Sequence, residues 1–142
     1  MGHEHEVMSR LWRAGLTVPY PIAYDADVYD LEYLGDDEGA AWQLQAARLG
    51  RGELGDAFEQ LVAGLHTIVR EGLAHADLSA YNHLWWEGRI WFIDFPQAVD
   101  IAANPPGVEF LHRDVLNVCD WFSHRGLDVD GEEVFADVLG SL

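Results

Sequence analysis

Three oxygen-bearing side chains stand out near the middle of the chain. Asp77 and Asn82 lie five positions apart in one loop, and Asp94 follows an apolar run that turns back at Glu87-Gly88. Counted outward from that turn pair, Asn82 and Asp94 lie almost opposite each other, so a carboxamide oxygen and a carboxylate converge at the open end of a hairpin. With water or phosphate oxygens they make a hard-oxygen set suited to Mg2+. Asp77 then stands beside the cation, placed to accept a proton from a hydroxyl. A carboxylate base and a held divalent ion are the parts that phosphoryl transfer needs: the base orients the hydroxyl and the ion neutralises phosphate charge. Each residue alone is ordinary as a cap or turn former; the joint spacing carries the chemical reading.

The elements around these residues follow from hydrophobic spacing. Leu54, Phe58, Leu61, Leu65 and Ile68 recur at helical intervals, with Val62 and Val69 widening the stripe and Gly72 stopping it. This long buried helix stands directly before the loop of Asp77. Leu84–Trp86 and Arg89–Ile93 are the two strands that meet at Glu87-Gly88. A second stripe, Val108, Leu111, Val115, Val118 and Phe122, predicts a helix after them, with Glu109 and Arg113 spaced to pair across one turn. A short helix over Glu132–Leu139 ends the chain, its two acids favoured by the helix dipole. Toward the front, Glu4–Ala14 reads as a helix with Val7, Met8, Leu11 and Trp12 on one side and Gly15 as its stop. Pro19 and Pro21 forbid helix beyond it. Ile22–Tyr24 and Val28–Leu34 read as short strands about an Asp25-Ala26-Asp27 turn, and Ala40–Leu49 as a short helix.

Composition sets outer limits. The 142 residues are 49% hydrophobic, enough for a real core. There are 25 acids against 8 bases, a net charge of −17, and every base is arginine. That sign argues against direct grip on nucleic-acid phosphates or anionic lipid, and favours basic partners. Cys119 is the lone cysteine, so no disulfide forms within the chain, in keeping with a reducing, cytoplasmic setting. The first fifteen residues have no signal-peptide pattern, and no apolar run is long enough to cross a membrane.

The motifs carry a resemblance. His75-Ala76-Asp77-Leu78-Ser79-Ala80-Tyr81-Asn82, followed by Ile93-Asp94-Phe95-Pro96-Gln97-Ala98-Val99-Asp100, resembles the RIO family of atypical serine protein kinases. Glu109-Phe110-Leu111 with Arg113-Asp114-Val115, Arg13–Pro19 and Leu31–Asp36 are similar to the same family, so the likeness runs from about residue 4 to about 125. It implies an α+β, kinase-like fold of RIO type: a mostly helical large lobe over residues 35–142, and a remnant of the small-lobe sheet in 1–34. It implies ATP and Mg2+ as cofactors, Asp77 as catalytic aspartate, and Asn82 and Asp94 as metal ligands. Glu32, Tyr33 and Leu34 would be the hinge that meets adenine, with Leu31 behind it. Ser79 joins the cofactor-binding residues, standing where ordinary kinases have a lysine two positions after the catalytic aspartate. In some members the metal-binding aspartate itself accepts phosphate, which extends to Asp94. The family also implies a protein substrate, whose identity the sequence does not specify, and a ribosome-related partner.

One departure matters. A kinase small lobe supplies a glycine-rich loop and a lysine that pairs with a helix glutamate. Glu4 aligns with that glutamate, but the chain has no lysine and no such loop before residue 4. The expectation is therefore a RIO-type kinase lacking the front of its small lobe, weak or inactive alone. Two alternatives stand beside it: a non-catalytic pseudokinase binding module, and a small-molecule kinase of aminoglycoside or choline type. Among the remaining polar groups, His75 is expected to bond backbone and pack. Arg113-Asp114 is expected to be a structural ion pair under the loop. His3 and His5 with Glu4 and Glu6 could bind a metal, but a frayed, solvated terminus is the expected reading. Of adjacent Trp85 and Trp86, a regular strand turns one outward.

Overall fold

The computed structural model describes residues 2–19, 21–24, 29–31, 35–36, 39–40, 42–95 and 97–142. The chain opens with helix α1 (Gly2–Arg13), and strands β1 (Pro21–Tyr24) and β2 (Tyr29–Leu31) then pair antiparallel. Two short strands, β3 (Gly35–Asp36) and β4 (Gly39–Ala40), form a second small pair. Strand β5 (Trp42–Gln43) leads into one 3-10 turn at Leu44–Ala46, and then comes the long helix α2 (Arg51–Arg70). Strand β6 (Leu73–Ala74) follows. The hairpin β7 (His83–Trp86) and β8 (Arg89–Phe92), then β9 (Val99–Asp100), precede helices α3 (Gly107–His124) and α4 (Gly131–Leu139). The sheet order is β5-β7-β8, while β6 pairs with β9. These elements fit the α+β class.

One hydrophobic cluster holds them. Val7, Met8 and Leu11 of α1 join Leu54, Leu61, Leu65 and Ile68 of α2, Phe92 of β8, and Leu111, Val115, Val118 and Phe122 of α3. The three helical stripes therefore close one core. Gly64 lies where α2 crosses β8: a Cβ there would come within 2.5 Å of the Phe92 ring. Helix α2 stops as its spacing predicts, with Gly72 at φ 78. Asp130 caps α4 by accepting the Glu132 and Glu133 amides.

Several sequence expectations need correction. Ala40–Leu49 is not a helix. Trp42 and Gln43 pair with Trp85 and Leu84, and Gln43 Nε2 donates to the Tyr81 carbonyl, so an available strand edge takes the backbone that a helix would use. Among the described side chains of that stretch, Leu44 and Ala47 are the buried ones, the spacing of one 3-10 turn. The second hairpin strand ends at Phe92, not Ile93. Trp12 and Val108 are exposed, although the helical spacing puts each on an apolar stripe. Trp85 and Trp86 are both half-buried. The expected Asp25-Ala26-Asp27 turn, Val28 and the 32–34 end of the second strand lie outside the described residues.

Candidate active site

The loop between β6 and β7 carries Asp77 and Asn82, and the segment after β8 carries Asp94. The hairpin register brings these segments together: His83 faces Phe92, and the Ile93 amide donates to the Asn82 carbonyl at 3.1 Å. Asp94 is thus one step beyond direct opposition to Asn82, as the count from Glu87-Gly88 predicts. Glu87 (φ 52) and Gly88 (φ 71) are both left-handed, the geometry of the two-residue turn that joins strands tightly.

Nearly every backbone group of the loop is tied down. Buried Asp114 of α3 accepts the Ala76 amide at 2.7 Å and the Leu78 amide at 3.1 Å, one on each carboxylate oxygen. Arg113 donates to the Ala76 carbonyl at 2.6 Å, its guanidinium lying over Phe110. These two residues are not an ion pair under the loop; each reaches the loop backbone separately. Ala76 itself sits at φ 72, a conformation costly for a residue with a Cβ, and these three bonds hold it there.

His75 links the two segments. Its Nε2 bonds the Ile93 carbonyl at 3.3 Å and its Nδ1 accepts the Asp77 amide at 3.2 Å. The ring packs against Phe95 with centroids 4.7 Å apart, in keeping with the expected structural role. Asn82 is buried, its Oδ1 accepting the Ser79 amide at 2.8 Å and its Nδ2 donating to the Asp77 carbonyl. Ser79 Oγ accepts the Tyr81 amide, and the Ser79 carbonyl accepts from His83 Nδ1 at 2.7 Å. Ser79 therefore spends its polar groups on the loop itself.

Burial sets the charge states beneath the loop. His83 is fully buried beside the Phe92 ring with no partner for Nε2, and burial pushes its pKa down to about 3. Burial pushes Asp114 above the ordinary carboxylate range, while the Leu78 and Ala76 amides, His75 and Arg113 all act in the opposite direction.

Asp77 and Asp94 behave differently. Both are exposed, and among the described residues neither carboxylate takes part in a hydrogen bond or ion pair. Asp94 is left-handed at φ 58. The donor set fits Mg2+: a carboxylate with all its lone pairs unspent, and a carboxamide oxygen with a second lone pair beyond the one used by Ser79. Glu32, Tyr33 and Leu34 lie outside the described residues. A surface cavity of about 570 Å³ lined by Trp42, Ala46, Ala47, Arg48, Leu49 and Trp85 includes none of the three site residues.

Sequence reasoning underrated Asp114 and Glu4. The signal for Asp114 was present: it falls three residues after Leu111 and four before Val118, on the apolar face of α3. A carboxylate on a buried stripe needs partners, and the loop amides supply them. Glu4 is not part of a frayed end, because its Oε2 accepts the Phe95 amide at 2.7 Å; His3 beside it is bonded to the Ala98 carbonyl.

A family model described as RIO domain matches residues 1–134. The serine/threonine-protein kinase RIO3 of Mus musculus is 33% identical over 136 residues, 94% of this chain and 26% of the relative. The RIO-type serine/threonine-protein kinase Rio1 of Thermoplasma acidophilum is 31% identical over 131 residues, 92% and 67% respectively. The Rio1 of Haloferax volcanii is 35% identical over 133 residues, 94% and 45%. The chain thus spans about a quarter of the RIO3 length. No described helix is long and apolar enough to cross a membrane.

Proposed function

The chain belongs to the RIO family, and from that premise we propose that its loop cleft moves the terminal phosphoryl group of ATP to a protein serine hydroxyl, with Mg2+ present. The observation that carries this reading is the contrast within the site. Asp114, Arg113, His75 and Asn82 hold the backbone of Ala76, Asp77, Leu78 and Ser79, while the carboxylates of Asp77 and Asp94 are exposed and, among the described residues, unspent. A fixed frame around unengaged acids is preorganisation for a ligand, not for folding.

Asp77 accepts the proton of the attacking hydroxyl. That oxygen bonds to the γ-phosphorus, the bond to the β,γ-bridging oxygen breaks, and ADP leaves. Asn82 Oδ1 and Asp94 would hold Mg2+, which when bound neutralises charge on the phosphates. Glu32, Tyr33 and Leu34 are proposed to meet adenine, and Ser79 to shape the loop that borders the nucleotide. We read residues 1–34 as small lobe and 35–142 as large lobe.

These 142 residues contain no lysine, so the chain offers the phosphates no ammonium group. We therefore expect turnover below the ordinary kinase range of about 1–100 per second. The same feature favours a second reading, nucleotide binding without transfer. Radiolabel transfer from ATP with Mg2+, tested on protein and aminoglycoside acceptors, separates the cases. Transfer to serine that Asp77→Asn reduces at least about a hundredfold supports the first. Transfer only to the aminoglycoside overturns it. No transfer, with a thermal shift in millimolar Mg2+·ATP, establishes the second.

A further inference from the structure

Two cavities adjoin where the chain leaving α1 passes α2 and β8. One, of about 340 Å³, has a buried floor of Leu16, Gly64, Ile90 and Phe92 and opens beside exposed Ala63. The other, of about 240 Å³, has Trp12 and Trp91 in its walls. Gly15, Leu16, Thr17 and Arg89 line both, so Arg89 stands at their common wall. Asp77, Asn82 and Asp94 line neither.

The charge of this wall runs against the composition. The chain carries 25 acids and 8 bases, yet among the described residues no carboxylate lines either cavity, and Arg89 is the one charged group that does. Arg89 is also set in place. It donates to the Thr17 hydroxyl at 2.8 Å and lies over the Trp91 ring, 5.2 Å from its centroid. A guanidinium is rich in N–H donors, and among the described residues no acid pairs with this one. The other polar side chains of the larger cavity are spent within the fold. Gln60 bonds the Gly88 carbonyl and the Ile90 amide, and Thr67 donates to the Ala63 carbonyl. An occupant therefore meets apolar surface and one oriented cation.

The geometry points to a second ligand site, one for a small monocarboxylic acid with a flat, ring-sized apolar body: its carboxylate bonds Arg89 and its body lies over Leu16 and Phe92. The donors that Thr17 leaves over match a carboxylate in the forked geometry that arginine favours. A phosphate dianion would bring two charges to a single cation, in a chain of net charge −17. Apolar walls with a few placed polar groups are the make-up of small-molecule sites, and the larger cavity has their size. Because Arg89 is already braced by Thr17 and Trp91, it loses little freedom on binding. The site is separate from the Asp77 cleft and needs no part of the phosphoryl-transfer reading.

The probe is cinnamate, with cinnamamide as its uncharged counterpart, titrated into the full chain and followed by NMR shifts and calorimetry. Cinnamate should bind saturably with a Kd of about 1 mM or tighter, moving the signals of Thr17, Ala63, Arg89 Nε and the Trp91 indole. Cinnamamide should bind about tenfold more weakly, because it loses the charge-assisted bonds. Arg89→Gln should bring cinnamate down to the level of the amide and leave the amide's own affinity unchanged. Ala63→Leu, at an exposed position of α2 where leucine suits a helix, crowds the opening and should weaken both probes about tenfold. Equal affinity of the wild-type chain for the two probes overturns the proposal. So does cinnamate binding that Arg89→Gln leaves unchanged, a set of shifts centred elsewhere, or no saturable binding at all. The comparison of acid with amide uses the wild-type chain alone, so it decides the matter if a variant does not fold.

Discussion

Acidification should destabilise this protein through a single buried ring, and His83→Asn should remove the effect. His83 has an ordinary pKa of 6.5 and a folded value of about 3, because burial opposes its charged form. The unfolded chain therefore binds a proton that the folded chain refuses at every pH between those values. The stability this contributes is complete above about pH 6.5 and is lost as pH falls through that window. At about 1.4 kcal/mol per unit, lowering the pH from 8 to 5 costs about 2 kcal/mol, and crossing the whole window about 5 kcal/mol. Asn at this position places an amide N–H where Nδ1 donates to the Ser79 carbonyl, and it does not titrate. Its smaller volume lowers stability by a similar amount at both pH values. Other groups titrate too. The raised pKa of Asp114 acts in the opposite sense, adding stability at low pH that is lost as pH rises above 3.8. The measured quantity is therefore a double difference: urea unfolding of both proteins at pH 8 and 5, followed by tryptophan fluorescence. With an m-value of about 1.5 kcal/mol/M, the wild-type midpoint should fall about 1 M further than that of His83→Asn. Parallel falls in the two proteins would refute the reasoning, because His83 would then be protonating inside the fold or reaching water.

Three further substitutions probe the frame and its supports. Asp114→Ala leaves the Ala76 and Leu78 amides without acceptors and should cost about 3 kcal/mol in urea unfolding, with loss of nucleotide-dependent thermal shift. Gly64→Ala drives a methyl group to 2.4 Å from the Phe92 ring and 3.0 Å from Leu16, and calorimetry should show a loss of about 1–3 kcal/mol with a lower Tm. Glu87→Asn suits the left-handed first position of the β7–β8 turn and should raise Tm by a few degrees, equivalent to a few tenths to about 1 kcal/mol.

What could be read in advance was what depends on local pattern. The α2 and α3 stripes, the stop at Gly72 and the Glu87-Gly88 turn all follow from spacing and from residues that tolerate positive φ. The near opposition of Asn82 and Asp94 followed from counting outward from that turn. What escaped was non-local. The β6–β9 pair is two residues on each side, too short for any alternation to show, and sets Leu73 against Asp100 and Ala74 against Val99 across 25 or more positions of chain. Trp42 and Gln43 became a strand because β7 offered an edge. The Ala76–Asp114 and Glu4–Phe95 bonds span 38 and 91 positions, and nothing in the spacing of either pair announces the other. The exposed face of Trp12 likewise depends on what α1 packs against, not on the helical period of α1.

Three aspartates near the cleft show how structure and chemistry divide the same side chain. Asp114 is 1% exposed and meets an amide with each oxygen; removing it leaves buried donors unsatisfied, so its place is explained by folding alone. Among the described residues Asp77 and Asp94 have no comparable partners, and the backbone nearest them is unfavourable: Ala76 at φ 72 precedes Asp77, and Asp94 itself is at φ 58. Each such residue costs about 1–2 kcal/mol, and folding stability would improve if glycine stood in its place. A chain under selection for stability alone has no reason to keep that cost or to spend His75 and Glu4 on maintaining it. The cost is accounted for if the two carboxylates must face a ligand together. It follows that substitutions in the buried frame should lower ligand affinity by more than their effect on folding predicts, whereas substitutions of equal stability cost on the outer face of α4 should not.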